Sequence, residues 1–293
     1  MRKTIEDTSV EDHFGWSTDG VRLHGRLYSG DASRPTLLCI PGMTENARAF
    51  EAFAAHFAPR FRVAALSLRG RGESGYAADP LTYVPLTYIR DIERMMGEMD
   101  LDHVVIVGSS LGGAVGMLIE AVALNRIDGL ILNDIGPEVA TAGLERTQEQ
   151  LGKGGNWPTW LHAARDMQWR RGDTHPHWTL QDWLTEAHRL CRVSREGRIV
   201  WDYDPQIAAP LALPRANSAI DLWLALDQFR DRPVLVLRGA HSDMLTPDTV
   251  ARMHERLPNL TSVTVQGAGH APALDEPEAL RAIDAFLARF ETG

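Results

Sequence analysis

The sequence contains few lysines, few cysteines and no long apolar segment. Only two of its 30 basic residues are lysines, Lys3 and Lys153, and the formal net charge at pH 7 is −9. Because a nucleic-acid backbone is polyanionic, this balance argues against nucleic acid as a partner. The longest apolar runs, such as residues 104–107, are too short to cross a bilayer, and the first dozen residues lack the apolar stretch of a secretory signal. We therefore predict neither a membrane span nor export.

The two cysteines, Cys39 and Cys191, stand in unlike contexts and match no metal-binding spacing. Free thiols are typical of a reducing compartment, so we expect a cytoplasmic protein. His175 and His177, with Asp173 nearby, have a faint likeness to metal ligands, but without a third committed ligand a solvated loop is the better interpretation. No metal and no cofactor are predicted.

Short apolar runs alternate along the chain with helix-like stretches, which is typical of a mostly parallel sheet with helices on both faces. The beginning differs, because residues 13–18 and 21–28 flank Asp19-Gly20, a strong signal for an antiparallel hairpin. The runs that predict the remaining strands lie at residues 36–40, 62–68, 103–108, 129–133, 233–237 and 260–265. Helices are predicted at residues 45–57, 88–99, 111–124, 219–229, 247–256 and 277–290. The 44% apolar content allows this sheet a sizeable core.

The alternation is interrupted between residues 137 and 217, where no buried strand is apparent. We interpret this segment as a helical insertion after the sixth strand, lying over one end of the sheet. It carries the tryptophans Trp157, Trp160, Trp169, Trp178, Trp183 and Trp201. Aromatic side chains can simply form the core of such an insertion, but we also expect one or two to line a pocket. Trp157, Trp160 and Trp183 are the candidates for substrate binding.

Gly108-Ser109-Ser110-Leu111-Gly112 is a G-x-S-x-G sequence between a predicted strand and a predicted helix. A turn tight enough to expose the middle serine leaves no room for side chains two residues before and two residues after it. Ser110 would then lie at the edge of the sheet and at the amino end of a helix, where developing negative charge is favoured. The sequence therefore predicts that Ser110 is a nucleophile.

A serine hydroxyl needs a base within hydrogen-bond reach, and the base needs an orienting carboxylate. Asp243 follows the predicted strand at residues 233–237, and His270 follows the one at residues 260–265. Parallel strands end at the same edge of a sheet, so these side chains can meet Ser110. His270 is predicted to be the base and Asp243 its partner.

These motifs together resemble the α/β-hydrolase superfamily, over nearly the whole length of the chain. The chain order Ser, Asp, His agrees with that family. Leu38-Cys-Ile-Pro-Gly-Met43 resembles its oxyanion loop, although Pro41 stands where many members have histidine. The resemblance implies that the main-chain N–H groups of Met43 and Leu111 bind the oxyanion. Some members take their carboxylate from the strand before the insertion, so Asp134 is an alternative to Asp243, whose loop fits better.

The fold implied by the resemblance is a mostly parallel, eight-stranded α/β-hydrolase sheet with helices on both faces. Residues 1–136 and 218–293 would form the core domain and residues 137–217 a helical cap. The activity implied is hydrolysis of a carboxylic ester with a hydrophobic acyl or aryl group, through an acyl-enzyme and without a cofactor. Carbon–carbon bond (dienoate) hydrolases, lactonases and thioesterases use the same framework, and so does a ligand receptor that does not turn over its ligand. A small-molecule ester is the expected partner, and a homodimer is left open.

Overall fold

The computed structural model describes residues 9–120, 126–212 and 221–291. The strands of the central sheet are β1 (Val10–Trp16), β2 (Arg22–Tyr28), β3 (Thr36–Ile40), β4 (Val63–Ser67), β5 (Val104–Ser109), β6 (Ile127–Asn133), β10 (Val234–Gly239) and β11 (Leu260–Val265). Three further short strands lie in the insertion: β7 (Asn156–Trp157), β8 (Cys191–Val193) and β9 (Ile199–Trp201). The α-helices are α1 (Glu51–Phe57), α2 (Pro85–Glu98), α3 (Leu111–Ile119), α4 (Thr141–Gln150), α5 (Trp160–Arg171), α6 (Leu180–Leu190), α7 (Leu222–Asp227), α8 (Pro247–Arg256) and α9 (Pro277–Leu287). Four 3₁₀ segments accompany them: Ala47–Phe50, Pro80–Thr82, Pro205–Ala212 and Ala288–Phe290.

The eight-stranded sheet has the order β1-β2-β4-β3-β5-β6-β10-β11. Strands β1 and β2 form the predicted antiparallel hairpin, and Gly20 in its turn has a φ of 80°, a left-handed conformation that glycine adopts without strain. From β4 to β11 the neighbouring strands are parallel. Their carboxyl ends therefore lie at one edge, where the loops that carry Ser110, Asp134, Asp243 and His270 begin. The predicted fold class is confirmed.

Alternate residues of the central strands contribute to two separate hydrophobic clusters, one on each face of the sheet. In β5, Val104 and Ile106 belong to the cluster that includes side chains of α2, α3 and α8. Val105 and Val107 belong to the other cluster, with side chains of α1 and α9. Since every residue of β5 is buried, both faces are covered, as a parallel sheet requires. This rigid double layer fixes the strand ends that carry the site.

The insertion after β6 has a small core of its own and contains more than helices. Strands β7, β9 and β8 form a three-stranded antiparallel sheet that the sequence did not predict, because strands of two or three residues have no readable periodicity. Trp157 and Trp183 are buried among side chains of α5 and α6. The insertion contacts the core through Arg48, whose Nη2 lies 2.7 Å from Asp202 Oδ2.

The predicted element positions agree with the structure to within a few residues wherever both can be compared. The strands at residues 36–40 and 260–265 and the helix at residues 247–256 have the predicted bounds. The predicted helices at residues 111–124 and 219–229 extend beyond the described residues, as does the predicted end of the insertion at residue 217. No helix within the described ranges is long and apolar enough to span a bilayer.

Candidate active site

Ser110 lies at a sharp turn between β5 and α3. Its backbone φ of 49° and ψ of −115° are strained for a residue with a side chain, a cost that recurs at functional sites. The flanking glycines make the turn possible. A Cβ on Gly108 would lie 2.5 Å from Gly113 Cα, and one on Gly112 would lie 2.0 Å from the Ile40 carbonyl oxygen. The G-x-S-x-G spacing therefore reflects two close backbone contacts.

His270 reaches Ser110 from the loop between β11 and α9. Its Nε2 lies 2.8 Å from Ser110 Oγ, a hydrogen-bond distance. The two residues are 160 positions apart in the sequence, and the convergence of β5 and β11 at one sheet edge brings them together. The sequence-based prediction of this contact agrees with the structure.

Asp134 is the carboxylate that contacts His270. It follows β6 directly and is fully buried, and its Oδ2 lies 2.8 Å from His270 Nδ1. Its two oxygens also accept hydrogen bonds from the Gly239 amide at 2.9 Å and the Ser242 hydroxyl at 2.6 Å. Since an ionised carboxylate can only accept, this contact favours the tautomer with the proton on Nδ1, which leaves Nε2 as the acceptor of a hydrogen bond from Ser110 Oγ. Asp134 therefore orients the imidazole of His270.

The sequence favoured Asp243 as the carboxylate that contacts His270, and the structure corrects this prediction. It forms a bidentate ion pair with Arg146, with Nε–Oδ2 at 2.6 Å and Nη2–Oδ1 at 2.7 Å. Strands β6 and β10 are neighbours in the sheet, so both aspartates start from the same edge. Asp134 is one residue beyond its strand, whereas Asp243 is four residues beyond Gly239 and is directed to the insertion. The contacts that separate the two aspartates, with His270 and with Arg146, join residues distant in sequence, so no local pattern indicated them.

The backbone around Met43 and Leu111 is held so that amide donors remain available near Ser110. The Gly42 amide donates to Glu45 Oε2 at 2.7 Å, and the buried Arg71 donates from Nε to the Met43 carbonyl at 2.9 Å. Leu111 is the first residue of α3, whose initial amides have no acceptor within the helix. Neither the Met43 nor the Leu111 amide donates to another described residue.

A cavity of about 150 Å³ lies beside Ser110 and His270. Core residues on one side and insertion residues on the other form its wall. Its lining consists of Gly42, Met43, Thr44, Glu45, Ser110, Arg146, Thr147, Gln150, Leu151, Arg171, Leu190, Trp201, Tyr203, His270 and Ala271. Engineered cavities of similar volume bind a benzene-sized molecule, so this one has room for a group of about six heavy atoms.

The three tryptophans predicted to bind substrate do not line this cavity, so that expectation is corrected. Trp183 is fully buried and Trp157 nearly so, in the hydrophobic cluster of the insertion, and Trp160 stacks on His188 at 3.9 Å. Trp201 lines the cavity instead. The composition of the insertion indicated many aromatic residues but not which of them face inward. The lining is also more charged than predicted, with Glu45, Arg146 and Arg171.

Two groups close to Arg171 have displaced pKa values. Burial raises the pKa of Glu45 above its usual range. Burial, together with the cationic Arg171 and Arg146, lowers the pKa of His175 to about 4. His175 is packed against Trp178 and Trp183, with ring centroids 4.3 and 6.0 Å away. Among the described residues, no group of three or more His, Cys, Asp or Glu side chains is arranged to hold a metal ion.

Residues 37–283 match the model of the alpha/beta hydrolase family. The chain is 32% identical over 281 residues to the 3-hydroxybutyrate-oligomer hydrolase of Cupriavidus necator, covering 92% of this chain and 94% of the relative. It is 26% identical over 268 residues to the 2-(acetamidomethylene)succinate hydrolase of Mesorhizobium japonicum, covering 87% and 88% of the two chains.

The fold is also similar to that of a solved alpha/beta hydrolase from Novosphingobium aromaticivorans. That structure has a TM-score of 0.92 and 45% sequence identity, covering 97% of this chain and 100% of that one. The similarity therefore extends over both the sheet and the insertion.

Proposed function

The chain belongs to the alpha/beta hydrolase family, and from the contacts of Ser110, His270 and Asp134 we propose that it is a serine hydrolase that cleaves a carboxylic ester. The single observation that carries the proposal is the unbroken series of hydrogen-bond distances from Ser110 Oγ to His270 and on to Asp134. Such a series is the arrangement that nucleophilic catalysis by serine needs.

Acylation begins when Ser110 Oγ attacks the carbonyl carbon of the ester. His270 Nε2 takes the hydroxyl proton as the new C–O bond forms, and the carbonyl electron pair moves onto its oxygen. Asp134 stabilises the imidazolium that results, because its buried carboxylate accepts a hydrogen bond from Nδ1–H, with Nδ1 and Oδ2 2.8 Å apart. When the tetrahedral intermediate collapses, the bond to the alcohol breaks and His270 returns the proton to the leaving oxygen.

The amides of Met43 and Leu111 are the proposed donors to the oxyanion. Both N–H groups have no acceptor among the described residues, and the amino end of α3 lies beside Ser110. Both features stabilise negative charge on a substrate oxygen at this position. Deacylation repeats these steps with water as the nucleophile. His270 removes a proton from the water while its oxygen adds to the acyl carbon. The second tetrahedral intermediate then collapses, the acid is released, and His270 returns the proton to Ser110 Oγ.

The cavity favours a short ester with polar groups over the hydrophobic acyl or aryl ester expected from the sequence. Room for about six heavy atoms suits a short acyl group, and charged residues in the wall disfavour a long alkyl chain. The insertion supplies more than half of the wall, including Arg146, Trp201 and Tyr203, which supports its role as a cap over Ser110. The similarity to a 3-hydroxybutyrate-oligomer hydrolase points in the same direction, towards ester bonds between small hydroxy acids.

The proposal is tested with a series of chromogenic esters of increasing acyl length, run beside a lactone, a thioester and a dienoate. We expect sustained turnover of the short esters, with an initial burst of alcohol that equals the enzyme concentration if deacylation is slower than acylation. Ser110→Ala should lower kcat by several powers of ten. The matched control is Ser109→Ala, which removes the hydroxyl of the preceding residue at the buried end of β5.

Hydrolysis of the dienoate alone would replace ester cleavage by carbon–carbon bond cleavage as the function. Labelling of Ser110 by a fluorophosphonate without turnover of any substrate would favour a receptor. Full activity of Ser110→Ala would reject the mechanism.

A further inference from the structure

Arg146 is held at the cavity wall with part of its guanidinium unused. It lies on α4, and its Nε and Nη2 donate to the two oxygens of Asp243. Both side chains are about a quarter exposed, 26% and 27%. A guanidinium has five N–H donors, and Nη1 of Arg146 contacts no acceptor among the residues described. Asp243 therefore fixes the orientation of Arg146 while leaving donors free.

Arg171 lies at the end of α5 and is satisfied only by long contacts. Its Nη2 is 3.3 Å from the carbonyl oxygen of His270, and its Nη1 is 3.4 Å from Glu186 Oε1. Charge-assisted hydrogen bonds are normally 2.7–2.9 Å long, so a better acceptor could replace either contact. Arg171 also lines the cavity together with Ser110 and Arg146.

Three carboxylates lie near the two cations, but they leave guanidinium N–H donors unused. Asp243 occupies one edge of Arg146, and Glu186 approaches Arg171 only at 3.4 Å. Glu45 is the acidic residue in the cavity lining itself, and burial raises its pKa. The two arginines also act on the same buried imidazole, His175, so their fields overlap. Two guanidinium groups that line the same small cavity are a favourable site for an anion of planar, bidentate geometry.

We propose that Arg146 and Arg171 form a carboxylate-binding subsite, and that the substrate is therefore an ester with a free carboxylate close to the scissile bond. This assignment rests on the proposed ester hydrolysis at Ser110. Asp243 acts as a positioning residue for Arg146. Because Arg146 and Arg171 line the same small cavity as Ser110 and His270, few atoms can separate the carboxylate from the ester. Esters of one short hydroxy acid with another have this form.

The test compares two substrates that share one ester bond: the linear dimer of 3-hydroxybutyrate with its free carboxylate, and the same dimer with that carboxylate as a primary amide. The amide has a similar shape and no charge. We expect the wild-type protein to have a kcat/KM at least tenfold higher for the acid than for the amide, since hydrogen bonds to charged groups are worth this much or more.

In Arg146→Met and Arg171→Met this preference for the acid should fall about tenfold or more. Arg146→Lys, which keeps the charge but loses the fork of donors, should lie between wild type and Arg146→Met. Arg170→Met is the matched control. Arg170 is the neighbour of Arg171 on α5 and pairs with Asp166 at 2.8 Å outside the cavity wall, so its preference should equal that of wild type.

A second measurement does not depend on turnover. In the Ser110→Ala background, calorimetry should give tighter binding of the acid than of the amide, and Arg146→Met should abolish that difference. Equal kcat/KM values for acid and amide in the wild-type protein would overturn the subsite and leave ester hydrolysis standing. Failure to hydrolyse either dimer or any of the chromogenic esters, together with tighter binding of the acid, would overturn the proposed function and leave the subsite standing. A preference unchanged in both arginine variants would mean that the arginines only connect the insertion to the core, and would also overturn the subsite.

Discussion

Replacement of Asp134 by asparagine tests which carboxylate acts on His270. Oδ1 of Asp134 accepts the Gly239 amide at 2.9 Å, so an asparagine keeps its oxygen there and places its nitrogen at the position of Oδ2. That nitrogen then faces His270 Nδ1 at 2.8 Å and donates to it. The imidazole must carry its proton on Nε2 and can no longer accept one from Ser110.

The expected result is a fall of about 10⁴ in kcat at neutral pH, which corresponds to about 5.5 kcal/mol of lost transition-state stabilisation. The assay is steady-state hydrolysis of a short chromogenic ester. Urea unfolding of the same variant separates this loss from a folding defect, because the substitution also turns the Ser242 contact at 2.6 Å around. We expect a measurable folded population at the assay temperature.

Asp243→Asn is the matched control, since it makes the same change of charge in the aspartate that the sequence favoured. Asp243 contacts Arg146 and not His270, so kcat should fall by about tenfold at most. A large loss in Asp243→Asn with a small loss in Asp134→Asn would refute the reasoning and restore the assignment from sequence.

Two further predictions concern the packing around the site. Gly112→Ala should lower the free energy of unfolding by about 1–3 kcal/mol and remove most of the activity, because its Cβ would lie 2.0 Å from the Ile40 carbonyl oxygen. Gly97→Ala is the control: its Cβ meets nothing within 4 Å, so it should raise the free energy of thermal unfolding by about 0.5–1 kcal/mol. Equal effects of the two substitutions would contradict this account. Because folding lowers the pKa of His175 from 6.5 to about 4, its contribution to stability is complete above 6.5 and is lost as the pH falls towards 4. The loss of stability is about 2 kcal/mol near pH 5. The urea unfolding midpoint should therefore change less between about pH 7.5 and pH 5 in His175→Phe than in the wild-type protein. An equal change of the midpoint with pH in both proteins would reject His175 as the cause.

The sequence was sufficient for the sheet and for the proximity of Ser110 and His270, because each depends on a pattern with a strong physical cause. Glycines two residues either side of Ser110 indicate a tight turn, and alternating buried strands bring the loop of His270 to the same edge. The glycine spacing and the apolar runs of the strands are each contained in a few consecutive residues, so both can be recognised without coordinates.

The choice between Asp134 and Asp243 could not be made in this way. Both follow neighbouring parallel strands, and the direction taken by each loop depends on partners distant in sequence, Ser242 and Arg146. The prediction of which tryptophans line the cavity was wrong for a related reason. Trp183 and Trp201 have the same hydrophobicity, but Trp183 is enclosed by α5 and α6, whereas Trp201 lies at the cavity wall.

The most direct measurement is peptide mapping after reaction with a fluorophosphonate, in the wild-type protein and in His270→Ala. We predict one adduct, on the hydroxyl of Ser110, and labelling at least about a hundredfold slower in the variant, because removal of the general base leaves the hydroxyl unactivated. Labelling of another serine, or an equal rate in both proteins, would contradict the claim that His270 activates Ser110.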